Sequence, residues 1–217
     1  MKKTLYIIGT GGFAKEVAQL ATLLNSNGAR WSSIEYLCER EENIGTRMPY
    51  GAVTGTDERL QSNHCAAEYV IGIGNPIIRQ RIAQRLAKNP LLFSPNLIHP
   101  LAGFSTVSVE LGQGNIITQG VVFTCDIVAG DHNVFNLNST VGHDCHIGSY
   151  NVINPGCNIS GGVTLGNSCL LGTGSRILES LQVADEVILG AGALLTRSIN
   201  NSGDTYVGIP ARPLKRI

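Results

Sequence analysis

The sequence predicts two folds in one chain: a small α/β domain of βαβαβ type over residues 1–100, then an all-β parallel β-helix of hexapeptide repeats over 101–217. Three observations carry this. First, an apolar side chain stands at every sixth position from Leu111 through Ile117, Phe123, Ala129, Phe135, Val141, Ile147, Ile153, Ile159, Leu165, Leu171, Ile177, Val183 and Leu189 to Leu195. No position in that register is polar, although only 43% of the chain is hydrophobic, so the period is a repeat and decides the architecture. Second, the next position is often Gly (Gly112, Gly130, Gly142, Gly148, Gly166, Gly172, Gly190), and the fifth is small or β-branched (Val121, Ser139, Cys145, Cys157, Val163, Cys169). Third, the first hundred residues lack this period and alternate strand-like with helix-like segments.

In chain order, residues 4–9 read as a buried strand and 12–27 as a helix with Val17, Leu20, Ala21 and Leu24 on its apolar face. Residues 34–38 read as a second strand and 67–74 as a third. A helix over 76–88 opens with Pro76, which suits the first turn, and a fourth strand is expected at roughly 91–98. Alternating strands and helices imply a parallel sheet with helices on its faces.

Gly9-Thr10-Gly11-Gly12-Phe13-Ala14 joins the first strand to the first helix. This is GxGxxA, in which glycines let the backbone approach a phosphate while the helix start offers free N–H groups. Taken alone the motif is weak, because a plain tight strand–helix turn also produces it. Glu39 follows the second strand, where an acid commonly bonds a ribose hydroxyl, and Gly72-Ile73-Gly74-Asn75 adds a second glycine turn at the same sheet edge. Ligands bind at that edge. The domain is half of a Rossmann fold, too short for a whole dinucleotide, so a mononucleotide part is expected and an NAD-dependent oxidoreductase is disfavoured.

In the repeat, three segments close a coil of eighteen residues, and Leu111 to Asn200 makes five coils. Coils stacked at the strand spacing of ~4.8 Å give a prism about 24 Å long. No coil buries its apolar face alone, so stacking supplies the core.

Composition narrows the function. Zero formal net charge argues against nucleic acid or a membrane surface as partner. The low share of charged residues, 15%, and the 26 glycines fit a solenoid. The apolar run after Met1 stops at Gly9, short of a signal peptide, and no stretch is long enough to span a bilayer; a cytoplasmic protein is expected. The six cysteines form no CxxC pair and no zinc spacing, so no metal is expected, and Cys145, Cys157 and Cys169 read as core filler. Among the histidines, His143 stands near a coil corner with Asp144 beside it, where its ring can face outward. Adjacent strand residues face opposite ways, so Asp144 reaches His143 only if the chain turns there. His99, His132 and His146 read as packing or surface.

With these residues in view, the chain resembles the bacterial nucleotide-sugar acetyltransferases of the PglD/NeuD type, within the left-handed β-helix acyltransferases. The resemblance rests on Gly9 to Ala14, Ile73-Gly74-Asn75 with Arg79, Asn96-Leu97-Ile98-His99-Pro100, Asn136 through Gly148, and Val207-Gly208-Ile209-Pro210-Ala211-Arg212. It implies a left-handed helix, acetyl-CoA as co-substrate, a nucleotide-activated amino sugar as acceptor, and homotrimers with active sites between subunits. It also implies a place in surface-polysaccharide synthesis. His143 matches the general base, Asp144 the carboxylate that holds its tautomer, and Asn136 a residue orienting the amine. Gly161 matches the amide that meets the thioester oxygen, and Thr173 and Ala191 match contacts along the pantetheine arm. Gly11, Gly12, Phe13, Cys38, Glu39 and Gly74 match the sugar-nucleotide pocket. Phe13 and Cys38 depart from relatives that carry His and an acid there, which bears on the base and sugar taken.

The expected reaction is acetyl transfer to the 4-amino group of a UDP-, GDP- or dTDP-linked sugar by direct attack. O-acetylation of a sugar hydroxyl with the same His143 is the enzymatic alternative, and a thiol route through Cys145 its internal rival. A non-catalytic sugar-nucleotide sensor, or a metal-binding β-helix using His132, His143 and His146, are readings from other classes.

Overall fold

The computed structural model describes residues 3–214. The chain divides into two compact units, Met1–Gly74 with Ile78–Leu97, and Asn75–Ile77 with Ile98–Ile217. The first unit contains β1 (Lys3–Ile8), α1 (Gly12–Ser26), β2 (Trp31–Cys38), β3 (Arg47–Met48), β4 (Gly51–Thr56), α2 (Asp57–Gln61), β5 (Ala67–Ile71), α3 (Pro76–Leu86) and β6 (Leu92–Phe93), before β7 (Leu97–Ile98). Its sheet runs β3-β4-β2-β1-β5-β6. All neighbours are parallel except the β3–β4 hairpin. Helix α1 buries Ala14, Val17, Ala18, Leu20 and Ala21, the one-faced spacing of a helix lying on a sheet.

Four expectations need correction here. The third strand ends at Ile71, and Gly72 onward is turn. The following helix ends at Leu86 rather than Lys88. The expected strand at 91–98 is two short ones: β6 pairs with β5, while β7 joins the β-helix. The β3–β4 hairpin and α2 were not expected at all. Gly51–Thr56 carries two glycines and little apolar surface, so its pairing with β2 comes from the sheet beside it rather than from propensity.

The second unit is a parallel β-helix with three faces. One face stacks Ile116–Ile117, Val134–Phe135, Val152–Ile153, Leu170–Leu171 and Ile188–Leu189, preceded by β7 and followed by Thr205–Val207 and Arg212–Pro213. The second stacks Val122–Phe123, Thr140–Val141, Asn158–Ile159, Arg176–Ile177 and Leu194–Leu195. The third stacks Val109–Leu111, Ile127–Ala129, His146–Ile147, Thr164–Leu165 and Gln182–Val183. Partners lie eighteen residues apart, as in Val122↔Thr140↔Asn158↔Arg176↔Leu194. The stack starts before the apolar register does, because His99 N–H already donates to Ile117 O at 2.9 Å. Every register residue from Ile117 to Leu195 is buried; Leu111 alone is partly open.

Corners repeat at the same period. Asp126, His132, Asn138, Asp144, Tyr150, Ser168, Ser180 and Glu186 have positive φ, and Gly156, Gly162, Gly174 and Gly192 fill the remaining places of that six-residue series. The left-handed turn residue is therefore the third after each apolar one. The glycines directly after the apolar positions serve a different need. At Gly142 a Cβ would lie 2.6 Å from the Gly161 nitrogen in the next coil, closer than any side chain tolerates.

Candidate active site

The β-helix residues singled out from the sequence sit at the two corners bordering its second face. Asn136, Thr173 and Ala191 lie where the chain enters that face, and His143 and Gly161 where it leaves. At the leaving corner Asp144 takes φ +57°, a conformation Asp tolerates better than most residues. That turn brings neighbouring side chains together: His143 Nδ1 lies 2.6 Å from Asp144 Oδ2. With Nδ1–H donating to the carboxylate, Nε2 keeps its lone pair. Both side chains are about two-thirds exposed, at 63% and 65%. One coil on, a Cβ at Gly161 would stand 2.6 Å from both Cε1 and Nε2 of the imidazole. The ring rests on a glycine and fits only because it is one.

Amide N–H groups separate the corners. At the third corner a side-chain ladder takes them up: Asp131 Oδ1 accepts from Gln113, Ser149 Oγ from Asp131, Asn167 Oδ1 from Ser149, and Asp185 Oδ1 from Asn167, at 2.7–2.9 Å. Behind it Asn115, Asn133 and Asn151, all fully buried, accept from the amides of Asn133, Asn151 and Cys169. At the other two corners the amides of Gly161, Thr173 and Ala191 donate to no acceptor among the described residues. Those donors are available to a ligand.

Asn136 is 8% exposed, and its Oδ1 accepts from Leu137 N–H at 2.8 Å and the Thr118 hydroxyl at 3.4 Å, so its carbonyl is committed to the protein. Cys145 is fully buried, with Sγ–H donating to Ser160 O at 3.2 Å. Desolvation raises its thiol pKa, which leaves a poor nucleophile. His132 is buried and stacks on Tyr150 with ring centroids 6.0 Å apart. His99 Nδ1 accepts from Leu101 N–H at 3.0 Å, and His146 is exposed. Among the described residues, no group of three His, Cys, Asp or Glu is placed to hold a metal ion.

In the first unit a cavity of ≈ 610 Å³ opens at the C-terminal ends of the strands. Gly11, Gly12, Phe13, Cys38, Glu39 and Gly74 all line it. The start of α1 faces it with no side-chain cap and no acid in its first turn, leaving the positive end of the helix dipole unneutralised. The Cys38 thiol is turned away, donating to Arg40 O at 3.0 Å and Gly55 O at 3.4 Å. Sequence reasoning missed Asp57, Glu58, Ile78, Arg81, Ile82 and Arg85, which also line the cavity. The last four follow an i, i+3, i+4, i+7 spacing on α3, a signal present in the sequence. Asp57 pairs with Arg85 and depends on α2, which had no such signal. No described helix is long and apolar enough to cross a membrane.

The PglD N-terminal domain family matches residues 4–86. The acetyltransferase domain of PglB from Neisseria gonorrhoeae FA1090, solved with acetyl coenzyme A, is 32% identical, covers 99% of this chain and 100% of its own, and superposes with a TM-score of 0.88. Perosamine N-acetyltransferase from Caulobacter crescentus, solved as a histidine mutant with CoA and GDP-perosamine, is 27% identical over 98% of this chain and 97% of that one, with a TM-score of 0.84. WeeI from Acinetobacter baumannii AYE shares the fold at 24% identity, over 98% of this chain and 100% of its own, with a TM-score of 0.82. No curated protein sequence matches the chain. Fold and corner histidine together define a left-handed β-helix acyltransferase with a Rossmann-like N-terminal domain. Within that class, the chain belongs to the PglD/NeuD-type nucleotide-sugar acetyltransferases.

Proposed function

We propose that this protein transfers acetyl from acetyl-CoA to the 4-amino group of a nucleotide-activated amino-dideoxy sugar, with His143 as general base. The observation that carries the reading is the His143–Asp144 pair at 2.6 Å, its imidazole lying against Gly161. The sugar amine attacks the thioester carbonyl while Nε2 takes its proton, and Asp144 stabilises the imidazolium through Nδ1–H. The Gly161 amide donates to the oxyanion; such a donor contributes about 3–4 kcal/mol. Collapse of the tetrahedral species breaks the C–S bond, and the CoA thiolate leaves with the proton held by His143. Direct attack is favoured over an acetyl-cysteine route because the Cys145 thiol is buried. The Caulobacter relative solved with CoA and GDP-perosamine supports an amine acceptor.

In this reading residues 1–100 hold the sugar nucleotide in the cavity formed by Gly11, Gly12, Phe13, Cys38, Glu39 and Gly74. Residues 101–217 hold acetyl-CoA through Gly161, Thr173 and Ala191, and Asn136, whose carbonyl is held by Leu137 N–H, orients the acceptor sugar and its amine through its remaining Nδ2 donors. Glu39 is the acid placed to accept from a ribose hydroxyl. The active unit is a homotrimer with sites between subunits, supported by the exposed Val122 on the second face and by the outward His143. Its place of action in this reading is the cytoplasm.

Replacing His143 by Ala tests the base. Loss of general-base catalysis lowers kcat by roughly 10²–10⁴-fold, with the fold and the trimer, measured by light scattering, unchanged. Near-normal turnover of UDP-, GDP- and dTDP-linked 4-amino sugars by that variant contradicts the assignment.

A further inference from the structure

Arg79 takes no part in the reaction above, yet it is the most deeply buried charged residue among those described, at 0% exposure. Burying a cation is costly unless its donors are met. Its Nη1 donates to Ile71 O at 2.5 Å and to Ile73 O at 3.0 Å. Desolvation draws its pKa down to about 9, which leaves it charged near neutral pH. The two carbonyls bracket Gly72, the first residue after β5. Gly72 in turn is pressed against α1: a Cβ there would come 2.9 Å from Ala14 Cα, 3.0 Å from Ala14 Cβ and 3.1 Å from Ile7 Cγ2. Gly9 is packed against the same turn, since its Cβ would meet Gly72 O and Ile73 Cγ1, both at 3.0 Å. Gly72 N–H donates to Ile8 O at 2.8 Å. The two glycine turns that line the nucleotide cavity are thus interlocked, and the second is gripped by a guanidinium from α3.

We propose that Arg79 is a positioning residue for the sugar-nucleotide pocket: by fixing the Ile71 and Ile73 carbonyls it seats the Gly72–Gly74 turn on Gly9 and Ala14, and so sets the shape of the cavity at the start of α1. Both bonds come from one guanidinium nitrogen, Nη1, which the rigid planar group holds in place; lysine's strongly hydrated ammonium on a flexible stem does not reproduce that when buried. The inference rests on the nucleotide reading of that cavity.

The experiment compares wild type, Arg79→Lys and Gly72→Ala. Titration calorimetry with UDP, GDP and dTDP measures the cavity, and steady-state kinetics measures both substrates. For Arg79→Lys the expected result is about tenfold or more weaker nucleoside diphosphate binding, equal to the loss of one buried hydrogen-bonded group. KM for the sugar nucleotide rises in parallel, while KM for acetyl-CoA and kcat at saturation stay within about twofold. A merely structural residue lowers the melting temperature without this split. Gly72→Ala, which keeps Arg79 but pushes on Ala14, is expected to give the same split and decides the matter if Arg79→Lys does not fold. Wild-type affinity for the diphosphates in a folded variant overturns the proposal. Wild-type protein that binds a nucleoside diphosphate but acetylates no sugar overturns the function and leaves the role of Arg79 to the binding arm.

Discussion

A single added methyl group at Gly161 separates the fold from the chemistry. Its Cβ would stand 2.6 Å from Nε2 of His143 and 3.0 Å from Cδ2. The ring is exposed and at the end of its side chain, so it swings aside with little loss of packing. Doing so breaks the 2.6 Å bond to Asp144. Gly161→Ala is therefore expected to lower kcat by about 10²-fold, the scale of a ~1 Å misplacement, with a melting temperature close to wild type. A variant with unchanged kcat would show that the ring's seat on Gly161 does not matter. The adjacency of His143 and Asp144 was readable in the sequence, but their contact was not. It depends on φ +57° at Asp144, and nothing in the residue names says which corner position takes the left-handed turn.

Among the elements, the coils carry a chemical record of their burial. Cys145, Cys157 and Cys169 fill the small inward slot, each at 0% exposure. Desolvation raises the Cys169 thiol from 9.0 to about 12, and the thiols of Cys145 and Cys157 rise for the same reason. An unfolded chain loses these protons near pH 9, whereas the folded chain keeps them longer. The folded state then binds more protons, and stability falls as pH rises. This contribution is fully present below pH 9 and disappears as pH rises towards about 12. The thermal midpoint is expected to drop over that window, and Cys169→Ala to drop less steeply from a lower starting value. Parallel slopes for the two proteins would disprove the linkage. The six-residue register announced these slots because packing imposes the period directly. The spacing of eighteen between Asn115, Asn133 and Asn151 is in the sequence, but that each accepts from an amide of the next coil appears only once the coils are stacked.

For the whole molecule, the two substrates are expected to answer to separate parts of the chain. Glu39 lines the cavity of the first unit, while Ala191 is exposed at a corner of the second. Glu39→Ala should raise KM for the sugar nucleotide roughly tenfold, on the order of 1.4 kcal/mol, without changing KM for acetyl-CoA. Ala191→Phe should do the reverse by obstructing the pantetheine arm. Residues without shared partners act additively, so the double variant should show both changes at their single-variant sizes. A KM for acetyl-CoA that responds to Glu39→Ala would show that the division of labour is wrong.

The sequence by itself determined the two architectures, the glycine turns that line the cavity, and His143 as the residue to watch. Periods of six and alternations of strand and helix are imposed locally, residue by residue, and survive in the order of the letters. Only the tertiary structure decided what stacking brings together: the imidazole on Gly161, the open amides of Gly161, Thr173 and Ala191 against the side-chain ladder at the third corner, and the Asp57–Arg85 pair on the cavity wall. It also gave Arg79 its place against Ile71 and Ile73. These contacts join residues from different coils, strands and helices, and their energies come from close approach and desolvation, which exist only once the chain has folded.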